Sequence, residues 1–257
     1  MKKTLWTRDF IRITCATGLG AAGGILSGFA LSFLVFDETG STLASALVLA
    51  IQLIPNVILP VFIAPLMDRL PRKPFLVGGD VVNGLLYGAA GLLLRRFAFS
   101  YGGYLCFSLV LACLSAFDEL AYGSFYPQVI PKGMEEKGYT VSSMLYPVLK
   151  VAMTPAAAFL YDKLGVAELL LIQAGLSFLA AFIESRIRVR ETRRQDAPLF
   201  SLRTWWNDLR EAAAYLRQEP GLRSLFDYMA VTNGVAMGAS PLLVAFFRTA
   251  PGFTAAM

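Results

Sequence analysis

Four charged side chains stand inside long apolar stretches: Asp80, Asp118, Glu119 and Lys150. Placing such a charge at the centre of a lipid bilayer costs about 2.5–3.5 kcal/mol, so these side chains should face a protein interior or a water-filled cavity. Counting along the chain puts Asp118 or Glu119 at a depth similar to Lys150, so either carboxylate could pair with the ammonium. Two readings follow: an internal ion pair that only orients helices, or a candidate substrate or proton site. Asp80 lies a few residues from a segment end, which predicts interfacial placement.

A second cluster is "PLMDRLPRKP", Pro65 to Pro74, where Asp68, Arg69, Arg72 and Lys73 form one acid and three bases between nearly charge-free runs. Read as loop charge that sets topology, this stretch needs its bases but not its acid. Read as a gate, it needs both. Asp68 can pair with Arg72 and face the positive end of a neighbouring helix. Each such contact is worth about 1 kcal/mol or less when solvated, and a few together bias a two-state packing equilibrium.

Other site chemistry is thinly represented. There is no histidine among the 257 residues, which removes the commonest general base and metal ligand. Cys15, Cys106 and Cys113 lie in apolar runs without CxxC spacing, which reads as small buried side chains rather than a zinc site or disulfide framework. No GxxxxGK[ST] string is present, so the chain shows no Walker-type nucleotide site. The expectation is a non-enzyme without cofactor or metal.

The elements that hold these charges follow from composition. Hydrophobic residues make up 56% and charged residues 16%, against roughly 25% charged in soluble domains. Mean hydropathy is +0.58. Seven segments are long enough to cross a bilayer: 13–36, 43–66, 75–94, 101–126, 141–161, 166–184 and 225–247. Each should be a helix, because lipid leaves an open backbone unsatisfied. The run from Ile13 is too long for a signal-peptide core and reads as the first span. With the N-terminus in the cytoplasm, 18 of the 23 basic residues fall on that side, nine of them in 185–224. The positive-inside rule favours this orientation. A pI near 9.2 then reflects basic loops facing anionic lipid and needs no nucleic acid.

Gly20, Gly24 and Gly28 make two overlapping GxxxG pairs in the first span, predicting close approach of another helix. In 200–217, Leu202, Trp205, Trp206, Leu209, Ala213 and Leu216 keep helical spacing among charges. That pattern predicts an amphipathic surface helix. It follows a polar linker from Glu191 to Pro198. The expected organisation is a bundle over 1–190, a cytoplasmic linker with amphipathic helix over 191–223, and the start of a second bundle over 224–257.

The stretch Ala64-Pro-Leu-Met-Asp68-Arg69-Leu-Pro-Arg72-Lys73 resembles the loop motif of the major facilitator superfamily, G-x-L-a-D-R-x-G-R-[RK]. Leu66, Asp68, Arg69, Arg72 and Lys73 match, and Ala64 and Pro71 fill the glycine positions. Thr154-Pro155-Ala156-Ala157-Ala158 is similar to the G-P-x-x-G-G element of exporters in that superfamily, with alanine for glycine. Residues 208–226 resemble the approach to the seventh span in its branch of macrolide-efflux and enterobactin-exporter proteins. The resemblance implies an all-α integral membrane protein: a six-helix N-terminal half plus a seventh transmembrane helix. It implies a multi-pass cell-membrane transporter that exports a small molecule by alternating access, driven by an ion gradient. The partner calls are a small-molecule substrate, the lipid bilayer, and the missing C-terminal half or a partner subunit. The alternative is a truncated or split half acting only as a membrane subunit, or inert.

Overall fold

The computed structural model describes residues 4–67, 71–189 and 201–249. Among them the regular structure is helical, without a strand. In chain order the helices are α1 (Arg8–Thr39), α2 (Thr42–Met67), α3 (Arg72–Arg96), α4 (Tyr101–Val129), α5 (Glu135–Leu164), α6 (Val166–Ser185), α7 (Leu202–Gln218) and α8 (Pro220–Thr249). The seven expected apolar segments fall inside α1 to α6 and α8. Five helices, α1, α3, α4, α5 and α6, are long and apolar enough to span a membrane among the described residues. In α2 the apolar run that stands out is shorter, Ala50–Ala64. Asp68 and Arg69 of the loop motif, the linker residues 190–200 and residues 250–257 lie outside the described residues.

The chain forms two compact units, Met1–Ala197 and Pro198–Met257. In the second, α7 packs on the start of α8. Ser201 caps α7 by accepting from Arg203 N at 3.3 Å, and Thr204 Oγ1 accepts from Ser201 N at 3.0 Å, satisfying donors at the helix start. The Arg210 guanidinium lies over the Trp206 ring, 5.6 Å from its centroid.

In the first unit the connections between helices are only a few residues long, so α1 to α6 run alternately up and down. The tightest, between α5 and α6, turns on Gly165 at φ +86°, where a side chain would be strained. One end of the unit therefore gathers the starts of α1, α3 and α5 with the ends of α2, α4 and α6. Lys73 Nζ donates there to the carbonyls of Ser185 at 2.8 Å and Ile187 at 2.7 Å. Arg72 donates to Ser124 O at 3.2 Å, and Arg12 to Arg186 O at 2.7 Å. These cations satisfy carbonyls at helix ends, where the intrahelical ladder runs out. Beneath them Phe10, Ile13, Leu76, Phe125, Tyr126 and Ile187 form a buried core. At the opposite end Arg95 pairs with Glu168 at 3.1 Å, and Tyr161 Oη donates to Asp37 at 2.8 Å.

The most extensive helix pair is α3 with α6. It is close because α3 presents glycines. An added Cβ at Gly84 would sit 2.9 Å from the Phe178 ring, and at Gly91 it would meet Ala167 O and Leu171 Cγ, both at 2.9 Å. The GxxxG expectation for α1 is corrected here. Gly20, Gly24 and Gly28 have no other side chain or helix within 4 Å of where a Cβ would stand. The spacing marks small residues, but the helix face carrying them looks onto open space instead of a neighbour. On α1 it is Gly23 that is closely packed, against Gln173 and Leu176 of α6. On the outside of the unit, Ile54, Val57, Ile58 and Val61 of α2 are exposed at helical spacing, as a lipid-facing surface requires.

Gly91→Ala forces a methyl against a backbone carbonyl, an overpacking cost of about 1–3 kcal/mol. Its unfolding midpoint in detergent should fall by several degrees. Gly24→Ala, with open space around it, should match the parent or exceed it slightly through lost chain entropy. Equal midpoints for both variants would contradict the α3–α6 seam.

Candidate functional site

A cavity of about 890 Å³ lies within the first unit, walled by residues of α1 to α6. On the α1 wall Gly20, Gly24 and Gly28 present bare backbone to the cavity beside the side chains of Ile25, Phe29, Leu31, Ser32 and Val35. Opposite in chemistry are the amides Gln52 and Asn56 of α2 and Asn83 of α3. Aromatic and hydroxyl groups come from Tyr87 of α3, Tyr104, Ser108 and Ser115 of α4, and Tyr146 and Thr154 of α5. Asp118 and Lys150 are the two charged residues on the wall. A space of this size with scattered hydrogen-bonding groups in an otherwise apolar bundle is suited to a drug-sized molecule.

The sequence-predicted residues separate on this geometry. Asp118 and Lys150 share the cavity. Glu119, one residue further along α4, is exposed and is not on the cavity wall. No ion pair joins Lys150 to Asp118 or Glu119 among the described residues. The α5 helix begins at Glu135, ahead of the apolar segment from 141, which puts Lys150 about 22 Å from the helix start at 1.5 Å per residue, beyond the reach of a snorkelling side chain. The exposed Lys150 side chain opens into the cavity. Thr154 Oγ1 returns a hydrogen bond to Lys150 O at 2.6 Å.

Asp118 has different neighbours. Its carboxylate lies over Gly79 of α3, in the space a Cβ there would fill. Asp80 of α3 and Glu184 of α6 lie close enough for the three carboxylates to act on each other's charge. Glu184 is 3% exposed, and its Oε2 has no hydrogen-bond partner. None of the three forms an ion pair with a described cation. Asp80 is half-buried, and its neighbour Glu184 stands one residue before the end of α6, so this group lies toward the basic end of the unit. Glu184 was missed because it closes the last apolar segment of the unit, two residues before Arg186, where a charge reads as interfacial. Among the described residues no cluster of three His, Cys, Asp or Glu is arranged to hold a metal ion. The carboxylates are electrostatic neighbours, not a coordination shell.

Gln173 was also missed. It is 3% exposed on α6, donates to Ser177 Oγ at 3.2 Å, and keeps Oε1 unpartnered at the cavity wall. The gate residues divide between described and undescribed. Arg72 and Lys73 hold the ends of α4 and α6, while Asp68 and Arg69 lie outside the described residues.

The chain is 21% identical over 224 residues to macrolide efflux protein A of Streptococcus pyogenes, and to the same protein from a serotype M6 strain of that species. The match covers 86% of this chain and 54% of each relative, so the chain spans about half the length of the curated relatives it matches. No protein-family profile matches the chain. No solved structure matches it. The similarity to an efflux protein is distant, and it extends over most of this apolar, helical chain.

Water in the cavity should be detectable chemically. In a background with Cys15, Cys106 and Cys113 replaced by serine, Asn83→Cys and Lys150→Cys in vesicles should react readily with a charged methanethiosulfonate. Val81→Cys, exposed on α3 but off the cavity wall, should react at least tenfold more slowly. Comparable rates at the three positions would show that the cavity is not a distinct aqueous space.

Proposed function

We propose that this chain is the N-terminal, cavity-bearing part of a secondary active transporter of the major facilitator type, exporting a small molecule by alternating access with an ion gradient as its energy source. The observation that carries the reading is the polar-walled cavity of about 890 Å³ in an apolar bundle, with Asp118 and Lys150 on its wall. The distant similarity to a macrolide efflux protein supports the export direction. The loop motif supports the superfamily, and the absence of a nucleotide-binding string supports an ion gradient. The end of the unit bearing Arg12, Arg72, Lys73, Lys132, Lys137, Arg186 and Arg188 is the cytoplasmic one under the positive-inside rule. In this reading the bundle is multi-pass in the cell membrane, with its N-terminus in the cytoplasm.

In this mechanism Lys150 and Asp118 hold the polar groups of the substrate while the aromatic wall of Tyr87, Tyr104 and Tyr146 takes its apolar surface. Asp118, Asp80 and Glu184 supply a proton acceptor for the coupling ion. Arg72 and Lys73 bind the ends of α4 and α6 in the arrangement seen here, and Asp68, outside the described residues, is the acid that the gate reading requires. In a second reading the cavity is completed by a partner subunit.

The test is accumulation of a radiolabelled macrolide in cells lacking their own exporters, with the chain expressed alone and with the C-terminal half of a relative. Expression should lower accumulation, and a protonophore should abolish the effect. Lys150→Met and Asp118→Asn should each reduce export at least tenfold at unchanged protein level. Export only on co-expression would select the partner reading. Export unaffected by either substitution would remove the cavity from the mechanism.

A further inference from the structure

At the basic end of the first unit, apart from the central cavity, a second pocket of about 500 Å³ is lined by Arg12 of α1, Lys73 of α3, and Phe182, Ser185, Arg186 and Arg188 at and beyond the end of α6. Four cations from three elements converge there. Among the described residues one carboxylate, Asp9, touches them: it pairs with Arg12 at 2.9 Å and accepts from the backbone N of Arg188 at 3.3 Å. The four cations outnumber that described acid. Lys73 and Arg12 are fixed in place by the carbonyls of Ser185, Ile187 and Arg186, so part of the charge is preorganised.

The surroundings say what kind of anion fits. Gly175, Phe178, Leu179 and Phe182 are exposed along one face of α6 at spacings of three and four, and this stripe runs down into the pocket. Arg186 closes it, its guanidinium 4.8 Å from the centre of the Phe182 ring. A cationic pocket directly below an apolar track matches a molecule with an anionic head and hydrocarbon chains. A soluble phosphate would use the head site and ignore the track.

We infer that this pocket binds the phosphate headgroup of an anionic phospholipid, whose acyl chains lie along the exposed α6 stripe. Through Lys73 and Arg186 the bound lipid touches the groups that tie α3 and α1 to the end of α6. The inference rests on the chain residing in a bilayer, and on nothing about its cargo. Cationic residues at a membrane surface each contribute about 1 kcal/mol toward anionic lipid, a fold-change of about five per charge.

The test is native mass spectrometry of the full chain released from vesicles containing equal amounts of phosphatidylglycerol and phosphatidylcholine. The parent should retain phosphatidylglycerol at least fivefold over phosphatidylcholine. Arg188→Gln should lower that preference by at least half, and adding Arg186→Gln should abolish it. Arg186→Lys with Arg188→Lys should restore most of it, which separates lost charge from lost folding. Lys132→Gln with Lys137→Gln removes two charges from the same end but outside the pocket, and should leave the preference intact. Inorganic phosphate at millimolar concentration should not displace the lipid. Equal loss in the two glutamine pairs would mean diffuse attraction and would overturn the inference. Displacement by inorganic phosphate would make the pocket a simple anion site and overturn it likewise. Because transport is not the readout, failure here leaves the exporter reading standing, and failure of that reading leaves this one.

Discussion

The first unit depends on how closely α3 approaches α6. Gly84 and Gly91 let the two backbones meet where any side chain would collide with Phe178, Leu171 or the carbonyl of Ala167. In a bilayer such packing matters more than in water. Lipid chains are as apolar as leucine, so association rests on van der Waals contact between well-fitted surfaces. With α6 seated on α3, its Gln173 comes up against α1 at Gly23, and its Glu184 reaches the carboxylates of α3 and α4. Lys73 then closes the same pair at its end through two carbonyls of the α6 terminus.

Once that seam is formed, the polar residues of the spans have few places to go. Asn83 and Tyr87 stand on α3, and Ser108, Ser115 and Asp118 on α4. Together they wall one cavity with Lys150 of α5 and the amides of α2. The arrangement separates two kinds of charge. Lys150 opens into the cavity. The carboxylate of Glu184 is buried, with one oxygen left unpartnered, and a buried acceptor without a donor is costly.

Much of the helical framework was legible in the chain. Apolar length alone located the segments that became α1 to α6 and α8, and the charges inside them pointed to Asp118 and Lys150, which do line one space. The spacing of Leu202, Trp205, Trp206 and Leu209 likewise marks the helix α7. What escaped has specific causes. The GxxxG rule was applied to α1 because its glycines are denser, yet Gly84 and Gly88 of α3 have the same spacing and face α6. A spacing rule finds small residues and does not say which face meets a neighbour. In α5 the helix starts at Glu135, several residues before the apolar segment, with Glu135 and Glu136 in its first turn; apolar length marks a span and not the start of its helix. Gln173 carried no signal, since one amide in an apolar helix has many innocent explanations.

The bare face of α1 has a consequence for how such a cavity can diversify. Gly20, Gly24 and Gly28 occupy the wall at one-turn intervals with nothing nearby to displace. Adding a methyl, a hydroxymethyl or an isopropyl group at any of them narrows the space from that side without disturbing a packed interface. Volume, reach and polarity of the chamber can therefore be retuned by single codon changes along one helix, while the α3–α6 seam that holds the fold stays fixed. The size of the chamber and the integrity of the scaffold rest on different glycines.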